Sequence, residues 1–186
     1  MQTTTLLEKK LHRRFDTWDI DGNGYLEVVD FIERARLVAA AAGVPFDSAD
    51  HRDLHRRFLA LWRLLAEFAD ADQDGRITRA EFCTAFTSLV TRGAAEFDHV
   101  YRPLIQGSVD ALDTDGDGRL NRTEWRRWYV AFLRLPLHLA ETVFQALDRD
   151  SDGYLTVAEI LYAVRDYYFN DDADSPSNQL LGPMQS

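Results

Sequence analysis

The chain has 186 residues, 46% hydrophobic and 12% aromatic, enough to bury a sizeable core without staples. Its formal net charge of −10 argues against a nucleic-acid partner, because a phosphate backbone selects clustered Lys and Arg. One cysteine, Cys83, excludes an internal disulfide framework, and no apolar run approaches the roughly 18 residues of a membrane span.

In chain order, the start MQTTTLLEKK lacks the apolar stretch of a signal peptide, and residue 2 is Gln where N-myristoylation needs Gly. A cytoplasmic location is expected. Thr5-Leu-Leu-Glu8 reads as a capping box that opens a helix. The segment DIDGNGYLEVVD follows at 19–30. Gly43 and Pro45 punctuate a link, and Asp47-Ser48 precedes a helix marked by Leu54, Phe58, Leu61, Trp62, Leu65 and Phe68. A second copy, DADQDGRITRAE, occupies 70–81, with Phe82, Ala85, Phe86 and Leu89 at helical spacing after it.

Gly93 and its small neighbours interrupt the helical rhythm over 91–95, which predicts an N-terminal unit over 1–92 and a C-terminal unit over 93–169. Ile105, Val109 and Leu112 lead into DTDGDGRLNRTE at 113–124, and Trp125, Trp128, Tyr129 and Phe132 form the exit stripe. Ala140, Val143, Phe144 and Leu147 lead into DRDSDGYLTVAE at 148–159. The last segment, 170–186, is polar with Pro176 and Pro183 and reads as loose, although Leu180, Leu181 and Met184 offer a docking role.

One twelve-residue pattern thus occurs four times, and its spacing has a chemical reason. Ca²⁺ is a hard cation that takes six to eight oxygens at roughly 2.3 to 2.6 Å, so short carboxylates must converge from several sides. Positions 1, 3 and 5 supply Asp19, Asp21 and Asn23; Asp70, Asp72 and Asp74; Asp113, Asp115 and Asp117; and Asp148, Asp150 and Asp152. Glycine at position 6 turns the chain so that the position-7 carbonyl of Tyr25, Arg76, Arg119 or Tyr154 can face the ion. Position 9 is Glu27, Thr78, Asn121 or Thr156, and position 12 is Asp30, Glu81, Glu124 or Glu159. Up to four Ca²⁺ are expected. The first loop departs from the rest, because Asp30 is one methylene shorter than Glu and Asn23 carries no charge, so Mg²⁺ is expected to compete best there.

These loops and their flanking helices are identified as EF-hands, and the chain resembles the compact four-hand sarcoplasmic calcium-binding proteins, including the bacterial calerythrins. The wide interval between the first two loops and the Asp-terminated first loop are similar to that family too. The expected fold is all-α, with four helix-loop-helix units in two paired lobes. Leu26, Ile77, Leu120 and Leu155 at position 8 are expected to form short β-bridges between paired loops, the first with the second and the third with the fourth.

Other features read as ordinary structure. His51 and His55 lie four apart without a third ligand, Cys83 reads as a packed hydrophobe, and Arg13-Arg14, Arg56-Arg57 and Arg126-Arg127 read as solvated faces. No nucleophile, base and orienter stand together, so no enzyme is expected. Sensors of calcium expose Met-rich grooves, whereas this chain has two methionines and faces built of Phe, Trp, Tyr and Leu. The sequence therefore favours a monomeric calcium buffer or transporter over a sensor that exposes an apolar groove to a protein target.

Overall fold

The computed structural model describes residues 5–133, 137–172 and 175–181. The first helix, α1 (Leu6–Trp18), starts on the expected capping box: the Glu8 amide donates to Thr5 Oγ1 and the Thr5 amide to Glu8 Oε2, both at 3.2 Å. It is followed by β1 (Tyr25–Leu26), α2 (Val28–Ala41), α3 (Ala49–Ala69), β2 (Ile77–Thr78) and α4 (Arg79–Thr91). The second half runs α5 (Ala94–Leu112), β3 (Leu120–Asn121), α6 (Arg122–Leu133), α7 (Leu137–Leu147), β4 (Tyr154–Leu155) and α8 (Val157–Phe169). A 3₁₀ turn at Pro176–Gln179 closes the described chain. All four twelve-residue loops therefore sit between helices, as the periodicity predicts.

The loops pair as expected. Leu26 lies opposite Ile77 in one antiparallel bridge, and Leu120 opposite Leu155 in the other. These side chains are fully or almost fully buried, so each bridge is also anchored in the core.

Aromatic residues make that core continuous from one half of the chain to the other. Phe82 meets Phe86 in a tilted pair at 4.3 Å between ring centres, Phe86 meets Tyr101 at 5.9 Å, and Phe97 meets Tyr168 at 5.6 Å. Helices α2 and α6 also pack together, as do α3 and α5. Such aromatic pairs each add about 1 kcal/mol beyond the area they bury.

Two expectations need correction. Arg13 and Arg14 are not a solvated pair: Arg13 donates from Nε and Nη2 to the Leu181 carbonyl at 2.9 and 2.6 Å, and the Arg14 guanidinium lies 5.2 Å over the Trp18 ring. Both long stems run along apolar surface that helical spacing alone does not reveal. The segment Ser175–Leu181 is not loose either, because Leu180 and Leu181 are buried in a slot formed with Ile105, Val109, Trp125, Ile160 and Val164. Burying two leucines offsets the entropy of ordering the short turn that carries them. The side chain of Phe132, and Pro183 and Met184, lie outside the described residues.

Cys83 is half-buried against the core, and burial pushes its thiol up, as fits a packed hydrophobe.

Candidate metal centres

Each loop is wired by the same backbone bonds, and these aim its carboxylates inward. The position-6 amide donates to Oδ2 of the position-1 aspartate: Gly24 to Asp19 at 3.0 Å, Gly75 to Asp70 at 3.1 Å, Gly118 to Asp113 at 2.8 Å and Gly153 to Asp148 at 3.1 Å. The four glycines have φ between 81° and 88°, the left-handed region that other residues enter at a cost. The position-5 amide donates to the position-3 aspartate, and the position-7 amide to the position-5 side chain, at 2.8 to 3.2 Å throughout.

Position 12 closes every loop. Its two oxygens accept the amides of positions 2 and 9: Glu81 from Ala71 and Thr78, Glu124 from Thr114 and Asn121, and Glu159 from Arg149 and Thr156. Asp30 does the same with Ile20 at 2.9 Å and Glu27 at 2.8 Å, despite its shorter side chain. It sits deep, only 2% exposed, and burial raises its carboxyl above the ordinary aspartate value. Glu81 moves the other way, held low by the amide and hydroxyl of Thr78.

The result is four groups of converging oxygens: Asp19, Asp21 and Asp30; Asp70, Asp72 and Glu81; Asp113, Asp115 and Glu124; Asp148, Asp150 and Glu159. Within each group one oxygen per residue lies within 4.8 Å of the others. His51 and His55 belong to none of them. The position-5 side chains of Asp74, Asp117 and Asp152 stand outside these tight groups, as does Glu27. Glu27 accepts from Arg76 Nε at 2.9 Å and from Asn23 Nδ2 at 3.0 Å. Like charges this close repel by a few kcal/mol per pair at an effective dielectric constant of about 20. Asp115, although exposed, registers the crowding: the Asp117 amide favours its charge, but slight desolvation and repulsion from Glu124 and Asp117 outweigh that and raise it.

A cation fits these groups on a specific ground. Asp70 Oδ1 and Asp148 Oδ1 are buried and meet no hydrogen-bond donor. An anionic oxygen shielded from water and left without a donor is costly, and a hard divalent ion is the partner that its neighbours are arranged to share.

Compared with known proteins, the chain matches the EF-hand domain pair over residues 8–87 and 104–165. The chain belongs to the EF-hand family. This EF-hand protein is 34% identical over 168 residues to calerythrin of Saccharopolyspora erythraea, a match covering 90% of this chain and 94% of that protein. It is 26% identical to sarcoplasmic calcium-binding protein 1 of Astacus leptodactylus, over 90% and 91% of the two chains. Among solved structures, a Streptomyces coelicolor calcium-binding protein described in prokaryotic calcium-mediated regulation superposes with a TM-score of 0.71 at 36% identity, covering 90% of this chain and 99% of that one. The calcium-loaded apo form of a coelenterazine-binding protein from Renilla muelleri shares the fold, with a TM-score of 0.78 at 21% identity over 98% and 99% of the chains. The protein is thus a calcium-binding EF-hand protein of the calerythrin and sarcoplasmic type, and it groups with non-enzymatic relatives. No helix among the described residues is long and apolar enough to cross a membrane.

The sequence gives no sign of the orphaned oxygens or the buried Lys10; the docking role it offers Leu180 and Leu181 is played within the chain itself. Lys10 is fully buried, donating from Nζ to the Asn170 carbonyl at 2.7 Å and lying over the Tyr167 ring. A lysine followed by Leu11 at the start of an amphipathic helix carries no local sign of that partner.

Proposed function

We propose that this protein is a calcium buffer with four ion sites, in which the side chains at positions 1, 3, 5 and 12 and the carbonyls of Tyr25, Arg76, Arg119 and Tyr154 hold the ions. Glu27 joins the first site directly or through water. The units 1–92 and 93–169 each carry one pair of sites, with 170–186 as an appended segment, and the protein works as a cytoplasmic monomer. The first site is the one at which Mg²⁺ competes best, since Asp30 lacks a methylene of reach and Asn23 lacks a charge.

The observation that carries the buffer reading is the seating of Leu180 and Leu181 in the apolar slot of the second unit. A sensor needs that kind of surface open to a target, whereas here the chain walls it in with its own leucines. The relative from Streptomyces coelicolor, named for calcium-mediated regulation, supports the second reading, a sensor. Calcium titration by calorimetry with and without millimolar Mg²⁺, run beside a hydrophobic-dye assay, separates the two. A buffer binds ions with no rise in dye fluorescence; a strong calcium-dependent rise overturns the buffer and promotes the sensor.

A further inference from the structure

Position 7 of each loop lies in or next to the β-bridge, with its side chain at least partly exposed. In both pairs one loop carries Arg there and the other Tyr: Tyr25 with Arg76, and Arg119 with Tyr154. The arginine leans over its partner loop's ring in both, Arg119 at 3.9 Å from the Tyr154 ring centre and Arg76 at 5.4 Å from that of Tyr25.

The two arginines differ in what their guanidinium groups then reach. Arg119 places Nη2 3.3 Å from Oδ2 of Asp117 in its own loop and Nη1 3.3 Å from Oδ2 of Asp152 in the next. Both partners occupy position 5, so one cation stands between equivalent carboxylates of the third and fourth loops. Arg76 finds no such pair, because position 5 of the first loop is the uncharged Asn23; its Nε goes to Glu27 of that loop.

We propose that Arg119 is an affinity-setting link between the third and fourth sites, a fixed counter-charge shared by both, and that Arg76 exerts the same influence on the first site alone. The inference rests on the calcium-site reading above. In the ion-free protein Arg119 relieves the repulsion of Asp117 and Asp152, so it favours the empty loops. An entering Ca²⁺ must be held by carboxylates already partly neutralised, beside a cation that repels it. Arg119 therefore stabilises the empty pair and lowers the affinity of both its sites. Its planar fork suits that role, since it can address two carboxylates at once while its face rests on the Tyr154 ring. The groups are about a third exposed, so screening keeps the effect moderate.

The test uses the full chain and follows the backbone amides of Gly24, Gly75, Gly118 and Gly153 by NMR, each of which reports its own loop, during titration with Ca²⁺. In Arg119→Gln, Gly118 and Gly153 are expected to respond at Ca²⁺ concentrations about threefold to tenfold lower than in the parent, with Gly24 and Gly75 unmoved. The calcium-free melting temperature should fall. In Arg76→Gln only Gly24 should shift. Arg119→Lys keeps the charge and should return both C-terminal reporters toward the parent. A shift of Gly118 alone, of neither, or of either toward weaker binding overturns the link. Failure of the parent's glycines to respond to Ca²⁺ refutes the calcium-site reading instead.

Discussion

The second and fourth loops differ from the first and third at position 4. In the odd loops that residue is glycine, and its amide donates to the position-1 aspartate: Gly22 to Asp19 Oδ1 at 2.8 Å and Gly116 to Asp113 Oδ1 at 2.6 Å. In the even loops it is Gln73 or Ser151, held at φ of 59° and 61°, and Asp70 Oδ1 and Asp148 Oδ1 have no donor. The odd loops close on themselves without an ion. The even loops keep one unmet carboxylate oxygen and a residue in a backbone region that costs non-glycine residues about 1 kcal/mol or more. Ion binding relieves more in the even loops, so each pair should contain one leading and one following site.

The largest effect that tests this contrast is removal of the ions. At a hundredfold excess over its dissociation constant each site adds about 2.7 kcal/mol, so chelation should lower the melting temperature by well over about 10 °C. Disabling the odd sites with Asp19→Ala and Asp113→Ala should preserve more than half of the calcium-induced rise measured by scanning calorimetry. Disabling the even ones with Asp70→Ala and Asp148→Ala should preserve less than half. Equal losses would erase the distinction between leading and following sites.

A second test reverses sign between the loop types. In calcium-free protein, Asp148→Asn removes the charge of a carboxylate whose buried Oδ1 meets no donor and should raise the melting temperature by about 2 to 12 °C, given a cost of about 1 to 3 kcal/mol for such a group. Asp113→Asn weakens an acceptor already served by the amides of Gly116 and Gly118 and should lower it. The same direction in both variants would break the comparison.

Smaller still is the backbone effect. Ser151→Gly relieves the left-handed strain and permits a turn like that of Gly116, so the ion-free protein should gain up to about 1 kcal/mol in thermal unfolding while site-four affinity falls. A gain in both stability and affinity would count against the strained turn as a driver of ion uptake.

The smallest change concerns the first loop. Asp30→Glu restores the missing methylene and should tighten Ca²⁺ binding at that site and weaken Mg²⁺ competition, read from Gly24 in paired titrations. No change in either property would show that the shorter reach of Asp30 does not set ion preference.

Most of this architecture was legible because the evidence for it is local. Carboxylates at positions 1, 3, 5 and 12 with glycine at 6 state their purpose within twelve residues, and the flanking stripes, such as Val143, Phe144 and Leu147, follow one helical period. The contrast at position 4 was visible as letters, but its meaning depended on whether the amide met an aspartate oxygen, which only the folded loop decides. The burial of Arg13, Arg14 and Lys10 and the seating of Leu180 and Leu181 were hidden for a different reason. The partners of Lys10 and Arg13 lie on elements far along the chain, and a leucine pair among polar residues has no periodicity to betray a core position.

That seating bears on how the protein is made. Lys10 and Arg13, on the first helix, hold carbonyls of Asn170 and Leu181, separated from them by 160 and 168 residues. Synthesis proceeds from the N-terminus, so α1 emerges long before the groups that complete its surroundings. Contacts spanning so much chain are slow to form because their loop-closure entropy comes first. Helix α1 therefore stays half-dressed until Asn170 and Leu181 have left the ribosome, and its packing is completed by residues made about 160 positions later.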